Sequence, residues 1–249
     1  MAMLKFAIDE SASPRVFSVT GVLSSMALWS KLEDSWGLAL TDAGPDIRVF
    51  HMSDFENRRP PFDTLSNDRR IKLISALIDS INAIRPMIIS ARLELPMADS
   101  ILPTDIRQAD RLKLLYVVCF SAVYGELYRW LRDETVFECG PVPLVLDRNH
   151  DVHHMITTID ASLRKAHPQF DDILGPLVFD GRERCVSLQV ADAVAYEVMK
   201  HMDNRILANG KTRRSYQRLM KIGSIREYDE PDLRSTIERI THGEFRLSS

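Results

Sequence analysis

Cysteine is scarce: the 249 residues contain three, Cys119, Cys139 and Cys185. They are scattered, so there is neither a disulfide framework nor a paired-cysteine zinc pattern. Reduced thiols are expected, and with them a cytoplasmic protein; Cys119, inside an apolar helical run, reads as core. Basic excess is also missing. The formal net charge is −3, which excludes a wholesale basic nucleic-acid surface and leaves room for a local basic groove. No apolar stretch approaches the roughly 20 residues a membrane helix needs. No basic segment followed by a long apolar one marks a signal peptide at the start. Nucleotide and acyl-transfer signatures are absent as well. Gly210-Lys211-Thr212 looks like the end of a phosphate loop, but Arg205 stands where its first glycine belongs, and no Gly-x-Ser-x-Gly elbow occurs. What remains is 45% hydrophobic and 27% charged, a composition that supports a sizeable globular core.

Apolar periodicity divides the chain into alternating elements. Strands are expected at Leu4–Asp9 and Arg15–Ser24, joined by turn-forming residues 9–14 as a hairpin. Helical spacing follows over Met26–Leu40. Residues 48–63 read as irregular, with Arg58-Arg59-Pro60-Pro61 in the middle. A helix over Ser66–Ile84 has Ile71, Leu73, Ile74, Leu77, Ile78 and Ile81 as its expected buried stripe. Then come a strand over Pro86–Leu95, a long apolar helix over Gln108–Arg132 and a strand over Val142–Asp147. A helix over Asp151–His167, a short strand over Gly175–Phe179 and a helix over Ser187–Asp203 complete the pattern. The expectation is one α/β domain over 1–249 with a mixed sheet flanked by helices. Residues 25–85 form a helical insertion between the second and third strands, and 206–249 a helical or irregular extension. Without the insertion the order is βββαβαβα, the order of ribonuclease H-like domains.

Three aspartates stand where a carboxylate is costly. Asp9 closes Leu4-Lys5-Phe6-Ala7-Ile8, Asp147 closes Val142-Pro143-Leu144-Val145-Leu146, and Asp192 interrupts the apolar pattern of the last helix. At about 100° per residue, Asp192 falls at the edge of the arc formed by Leu188, Ala191, Ala195 and Met199, toward the sheet rim. If the first and fourth strands are adjacent and parallel, their terminal acids emerge together at the functional edge of the sheet. Such a trio suits one or two Mg²⁺ or Mn²⁺ ions, which activate water and stabilise a leaving oxygen. Glu10 is a candidate assistant, although a continuing strand would turn it to the opposite face; Glu126 is the other candidate. The plainer alternative is that strand-terminal aspartates form turns or cap helices.

Asp9-Glu10-Ser11, Gly21-Val22, His51-Met52, Val145-Leu146-Asp147 and Gln189-Val190-Ala191-Asp192 together resemble a widespread family. It consists of uncharacterised bacterial and phage proteins of the ribonuclease H-like superfamily, with a "DES(G)" opening and a "QxAD" helix. The likeness spans roughly residues 4–205. Ala12 replaces the family's usual glycine, which would allow a tighter turn. The resemblance implies Asp9, Asp147 and Asp192 as metal ligands of a nuclease-like site, and it raises His51 as a proton-transfer group.

Lys211, Arg213, Arg214 and Arg218 form a basic stretch that reads either as a phosphate-contacting arm or as a solvated helix face. Arg58, Arg59, Arg69 and Arg70 pose the same choice. His150, His153 and His154 have zinc-compatible spacing but no accompanying ligands, so a solvated helix start is the simpler reading. The functional expectation is a divalent-metal-dependent nuclease. The alternatives are a non-catalytic ribonuclease H-like module that binds nucleic acid or a partner protein, and a small-molecule phosphoesterase.

Overall fold

The computed structural model describes residues 3–102, 107–133, 140–148, 152–207, 212–219, 224–227 and 230–241. Strands β1 (Leu4–Ala12), β2 (Val16–Ser25), β3 (Met87–Glu94), β4 (Val142–Asp147), β5 (Leu174–Asp180) and β6 (Ser224–Glu227) form a mixed sheet in the order β5-β4-β1-β2-β3-β6. β2 lies antiparallel between β1 and β3, β4 and β5 run parallel to β1, and β6 runs parallel to β3. A central β1 with a meander on one side and parallel strands on the other is the ribonuclease H-like arrangement.

The helices are α1 (Met26–Ala43), α2 (Met52–Glu56), α3 (Asn67–Ile84), α4 (Leu95–Ile101), α5 (Gln108–Asp133), α6 (His153–Ala166), α7 (Val186–Ile206), α8 (Arg214–Leu219) and α9 (Glu230–Thr241). Strand alternation sorts the two faces of the sheet. Phe6, Ile8, Val19, Leu144 and Leu146 pack in one core with α5 and α6. Ala7, Val22 and Ile88 pack in the other with α1, α3 and α7. The expected insertion therefore supplies α1 and α3, which cover the same sheet face as α7. Ser25 and Ser66 cap α1 and α3 through their hydroxyls.

Four expectations need correction. β1 does not end at Asp9: Glu10, Ser11 and Ala12 go on to pair with Val19, Ser18 and Phe17, because the hairpin closes at Ser13, whose amide bonds the Val16 carbonyl. Residues 48–63 contain the short helix α2. Ile71 is 63% exposed and lies outside the stripe of α3, since a full arc of Leu73, Leu77, Ile78, Ile81 and Ile84 is already buried. The segment expected as helical or irregular contains β6, whose four residues are too few for a period to show and which is held by the edge of β3. Cys119 is buried core as expected; Cys139 lies outside the described residues. Among the described residues, no helix is long and apolar enough to cross a membrane.

Candidate active site

Register brings the two strand acids together. β1 and β4 pair Ala7 with Val145 and Ile8 with Leu146, so Asp9 and Asp147 come side by side at the next step. Asp9 has the parity of Ala7 and Asp147 that of Val145. Ala7 packs in the core that includes α7, and Val145 packs with Leu188 of α7, so both acids lie on the face covered by the helix that carries Asp192. All three are buried, with exposures of 1%, 8% and 6% for Asp9, Asp147 and Asp192.

A single side chain joins them. Arg182, in the turn between β5 and α7, places Nη2 3.0 Å from Asp9 Oδ2, Nε 2.8 Å from Asp147 Oδ2 and Nη1 3.6 Å from Asp192 Oδ1. Nη2 donates to both Asp9 oxygens. Nε is buried without an aligned hydrogen bond, so its approach to Asp147 is an ion pair only. Burial, with Glu10 adding to it, pushes the Asp9 carboxyl well above the usual carboxylate range against the pull of Arg182. Burial also raises Asp192, opposed by Arg182, His51 and the Met52 amide. Burial disfavours the Arg182 charge, but Asp9, Asp192 and Asp147 outweigh it and hold the guanidinium above its ordinary pKa.

The chemistry of the donors fits a hard divalent cation: three convergent carboxylates, desolvated and sharing one counter-charge. Their spacing is that of a guanidinium. Among the described residues, no three of His, Cys, Asp and Glu stand in metal-holding geometry; the three carboxylates contact three different nitrogens of one guanidinium.

His51 reaches the same place. Its Nδ1 donates to Asp54 Oδ2 at 2.8 Å, and its Nε2 lies 3.8 Å from Asp192 Oδ1. The Met52 amide donates to Asp192 Oδ2 at 2.6 Å. Gln189 sets this arrangement. Its Oε1 accepts from Trp36 Nε1 and from the Phe50 amide, both at 2.9 Å, and its Nε2 donates to the Arg182 carbonyl at 2.8 Å. One buried amide thus ties α7 to α1, to the His51 segment and to the Arg182 turn. A cavity of about 680 Å³ opens beside the acids, lined by Glu10, Phe17, His51, Lys113, Tyr116, Arg182, Asp192 and Tyr196 among others. Glu10 borders it, although its parity in β1 differs from that of Asp9. Burial first, and then the Glu10 and Asp9 charges, raise the Tyr116 hydroxyl well above its usual range.

The remaining candidates are elsewhere. Glu126 pairs with Arg129 on α5 and is not among the residues lining the cavity. Arg213 is engaged by Glu56 and by buried Glu197, and Arg218 pairs with Asp79, so these two guanidiniums hold α8 against α2, α7 and α3. Arg214 is exposed; Lys211 lies outside the described residues. Arg70 donates to the Phe55 carbonyl and stacks over its ring, and Arg59 pairs with Asp54. His153 donates from Nε2 to the Asp147 carbonyl at 2.8 Å and packs on Phe179, which fixes the end of β4; His150 lies outside the described residues. Nothing in the sequence singles out Arg182, which stands in Asp180-Gly181-Arg182-Glu183-Arg184, a charged run with no apolar period. Gln189 enters the sequence pattern only as the first letter of Gln189-Val190-Ala191-Asp192.

No family model matches the chain, and no curated protein matches it. Among solved structures, the chain is similar to one in the structure of the PCNA:RNase HII complex from Archaeoglobus fulgidus, at 14% identity with a TM-score of 0.43, over 99% of this chain and 97% of that one. It is the order and direction of the strands in this chain's own sheet that make its fold ribonuclease H-like.

Proposed function

We propose that this chain is a divalent-cation-dependent nuclease of the bacterial and phage family that its Asp-Glu-Ser opening and Gln-x-Ala-Asp helix resemble, working in the cytoplasm. One observation carries the reading: carboxylates from β1, β4 and α7 converge on a single cationic group beside an open cavity. Asp9, Asp147 and Asp192 would hold Mg²⁺ or Mn²⁺, with Glu10 assisting. When bound, the ion supplies water activation and charge stabilisation at the phosphorus. His51 donates through Nδ1 to Asp54, which leaves Nε2, on the Asp192 side, free to take a proton. Gln189 and the Met52 amide hold this histidine segment and Asp192 in register. Lys113 on the cavity wall and the exposed Arg214 are the candidate phosphate contacts, together with Lys211.

The test is cleavage of single-stranded DNA, duplex DNA, RNA, an RNA–DNA hybrid and bis(p-nitrophenyl) phosphate with Mn²⁺, comparing wild type with Asp147→Asn. Cleavage of a polymer that Asp147→Asn abolishes supports the reading; cleavage of the small phosphodiester alone moves the assignment to a small-molecule phosphoesterase. Arg182 in the middle of the trio favours a second reading, a binding module whose acids its own arginine neutralises. Under that reading wild type cleaves none of the five substrates and still retains a nucleic acid or a protein partner.

A further inference from the structure

We propose that Arg182 is the resident counter-cation of the acidic site and sets its affinity for divalent ions: an ion enters only as the guanidinium leaves. The inference rests on the metal-dependent reading above. Charge is the first argument. Three carboxylates surround one guanidinium and keep two negative charges uncompensated, whereas a divalent ion in its place would leave one. Geometry is the second. Hydrogen bonding is incomplete even though the charges are close: Nη2 bonds Asp9, Nε lies 2.8 Å from Asp147 but is buried without an aligned acceptor, and Nη1 stands 3.6 Å from Asp192. A buried donor left unmatched weakens the hold of its own side chain.

The surroundings confine the exchange to that side chain. The Arg182 carbonyl is fixed by Gln189, and the turn around it is closed by bonds from the Arg184 and Cys185 amides to the Gly181 carbonyl. Ion pairs of Arg184 with Asp180 and of Arg148 with Glu183 brace its two shoulders. Two of the acids are anchored independently of the arginine, Asp9 by the Glu10 amide at 3.0 Å and Asp192 by the Met52 amide at 2.6 Å. They therefore stay in place when the guanidinium departs. Arg182 already forms part of the wall of the adjoining cavity, which gives it somewhere to go. Arginine keeps its charge at any pH the protein meets, so the guanidinium competes as a permanent cation.

The experiment is Mn²⁺ binding to the full chain, read from the electron paramagnetic resonance of unbound Mn²⁺, for wild type, Arg182→Gln and Arg182→Lys. Arg182→Gln is expected to bind at least about ten-fold more tightly than wild type, equal to about 1.4 kcal/mol, with Arg182→Lys in between. Removing the arginine also leaves the carboxylates without a counter-ion. The melting temperature of Arg182→Gln should therefore fall in EDTA and rise with Mn²⁺ by more than that of wild type. If Arg182→Gln does not fold in EDTA, Arg182→Lys, which keeps a positive charge, carries the comparison. Wild type and Arg182→Gln binding Mn²⁺ equally, or the variant binding more weakly, overturns the inference and leaves the metal-dependent reading standing. A variant that melts lower in EDTA and in Mn²⁺ alike, with no gain in affinity, shows a purely structural arginine and also overturns it. Failure of all three proteins to bind millimolar Mn²⁺ removes the metal-dependent reading and the inference with it.

Discussion

Replacing Gln189 with methionine keeps the volume of a buried side chain and deletes its amide. In the folded chain that amide accepts from Trp36 Nε1 and the Phe50 amide and donates to the Arg182 carbonyl. Gln189, Trp36 and Phe50 are all buried, so water does not replace what is lost, and a methionine sulfur is only a weak acceptor. Each buried donor or acceptor left unmatched costs about 1–3 kcal/mol. With the Trp36 and Phe50 donors fully buried and the Arg182 carbonyl partly so, the expected loss is about 3 kcal/mol. For a domain of this size that lowers the melting temperature by about 6–12 °C. Urea unfolding at neutral pH measures it, the midpoint falling while the slope against denaturant stays that of wild type. The Phe50–Met52 segment and the Arg182 turn lose their shared anchor, so the Mn²⁺-induced rise in melting temperature should shrink as well. A loss below about 1 kcal/mol with an unchanged Mn²⁺ response would falsify the assignment of Gln189 as the joint of the site.

Asp192→Asn keeps an oxygen for the Met52 amide, so the variant should fold while its Mn²⁺-dependent thermal shift disappears; an undiminished shift removes Asp192 from the site. Burial raises the Glu197 carboxyl, and Arg213 pulls it back down. Arg213→Met removes that pull, so Glu197 holds its proton to higher pH when folded than when unfolded. The stability tied to that proton is present below the unfolded pKa and is lost as pH rises through the raised folded one. The variant's deficit against wild type, about 3 kcal/mol once the charge is uncompensated, should therefore grow from about pH 5 to about pH 8. Thermal melts at the two pH values decide it, and a deficit that shrinks with rising pH contradicts the reasoning. At Gly21 a Cβ would fall 1.8 Å from Phe6 Cζ, so Gly21→Ala should cost about 1–3 kcal/mol through overpacking. Phe6→Leu in the same chain should recover part of that loss, and equal stability of Gly21→Ala and wild type would show that the ring does not lie over the glycine.

Much of the fold could be read from the chain because it is written in local periods. Val142–Asp147 is a strand with the bounds its apolar run predicts, and α5 begins at Gln108 where the helical spacing begins. The elements that escaped are short: α2, α4 and β6 span five, seven and four residues, too few for a period to rise above composition. The end of β1 escaped for another reason. Asp9-Glu10-Ser11-Ala12-Ser13-Pro14 has turn chemistry, but three further pairings with β2 override it.

The sequence by itself determined that three acids close or interrupt apolar runs, because a carboxylate beside Ile8, Leu146 or Ala191 is out of place in a core unless something pairs with it. It also determined the succession of strands and helices along the chain, in which the acids would meet if the first and fourth strands lie side by side. Only the tertiary structure decided what they meet. Arg182 is 173 residues from Asp9 along the chain, in a turn whose charges look like surface, and no period links the two. Parallel pairing of β1 with β4, the parity of Asp9 and Asp147, and the anchoring of α7 by Gln189 place the guanidinium among the carboxylates. Contacts of that range are fixed by packing and register, which a linear reading of residue types does not contain.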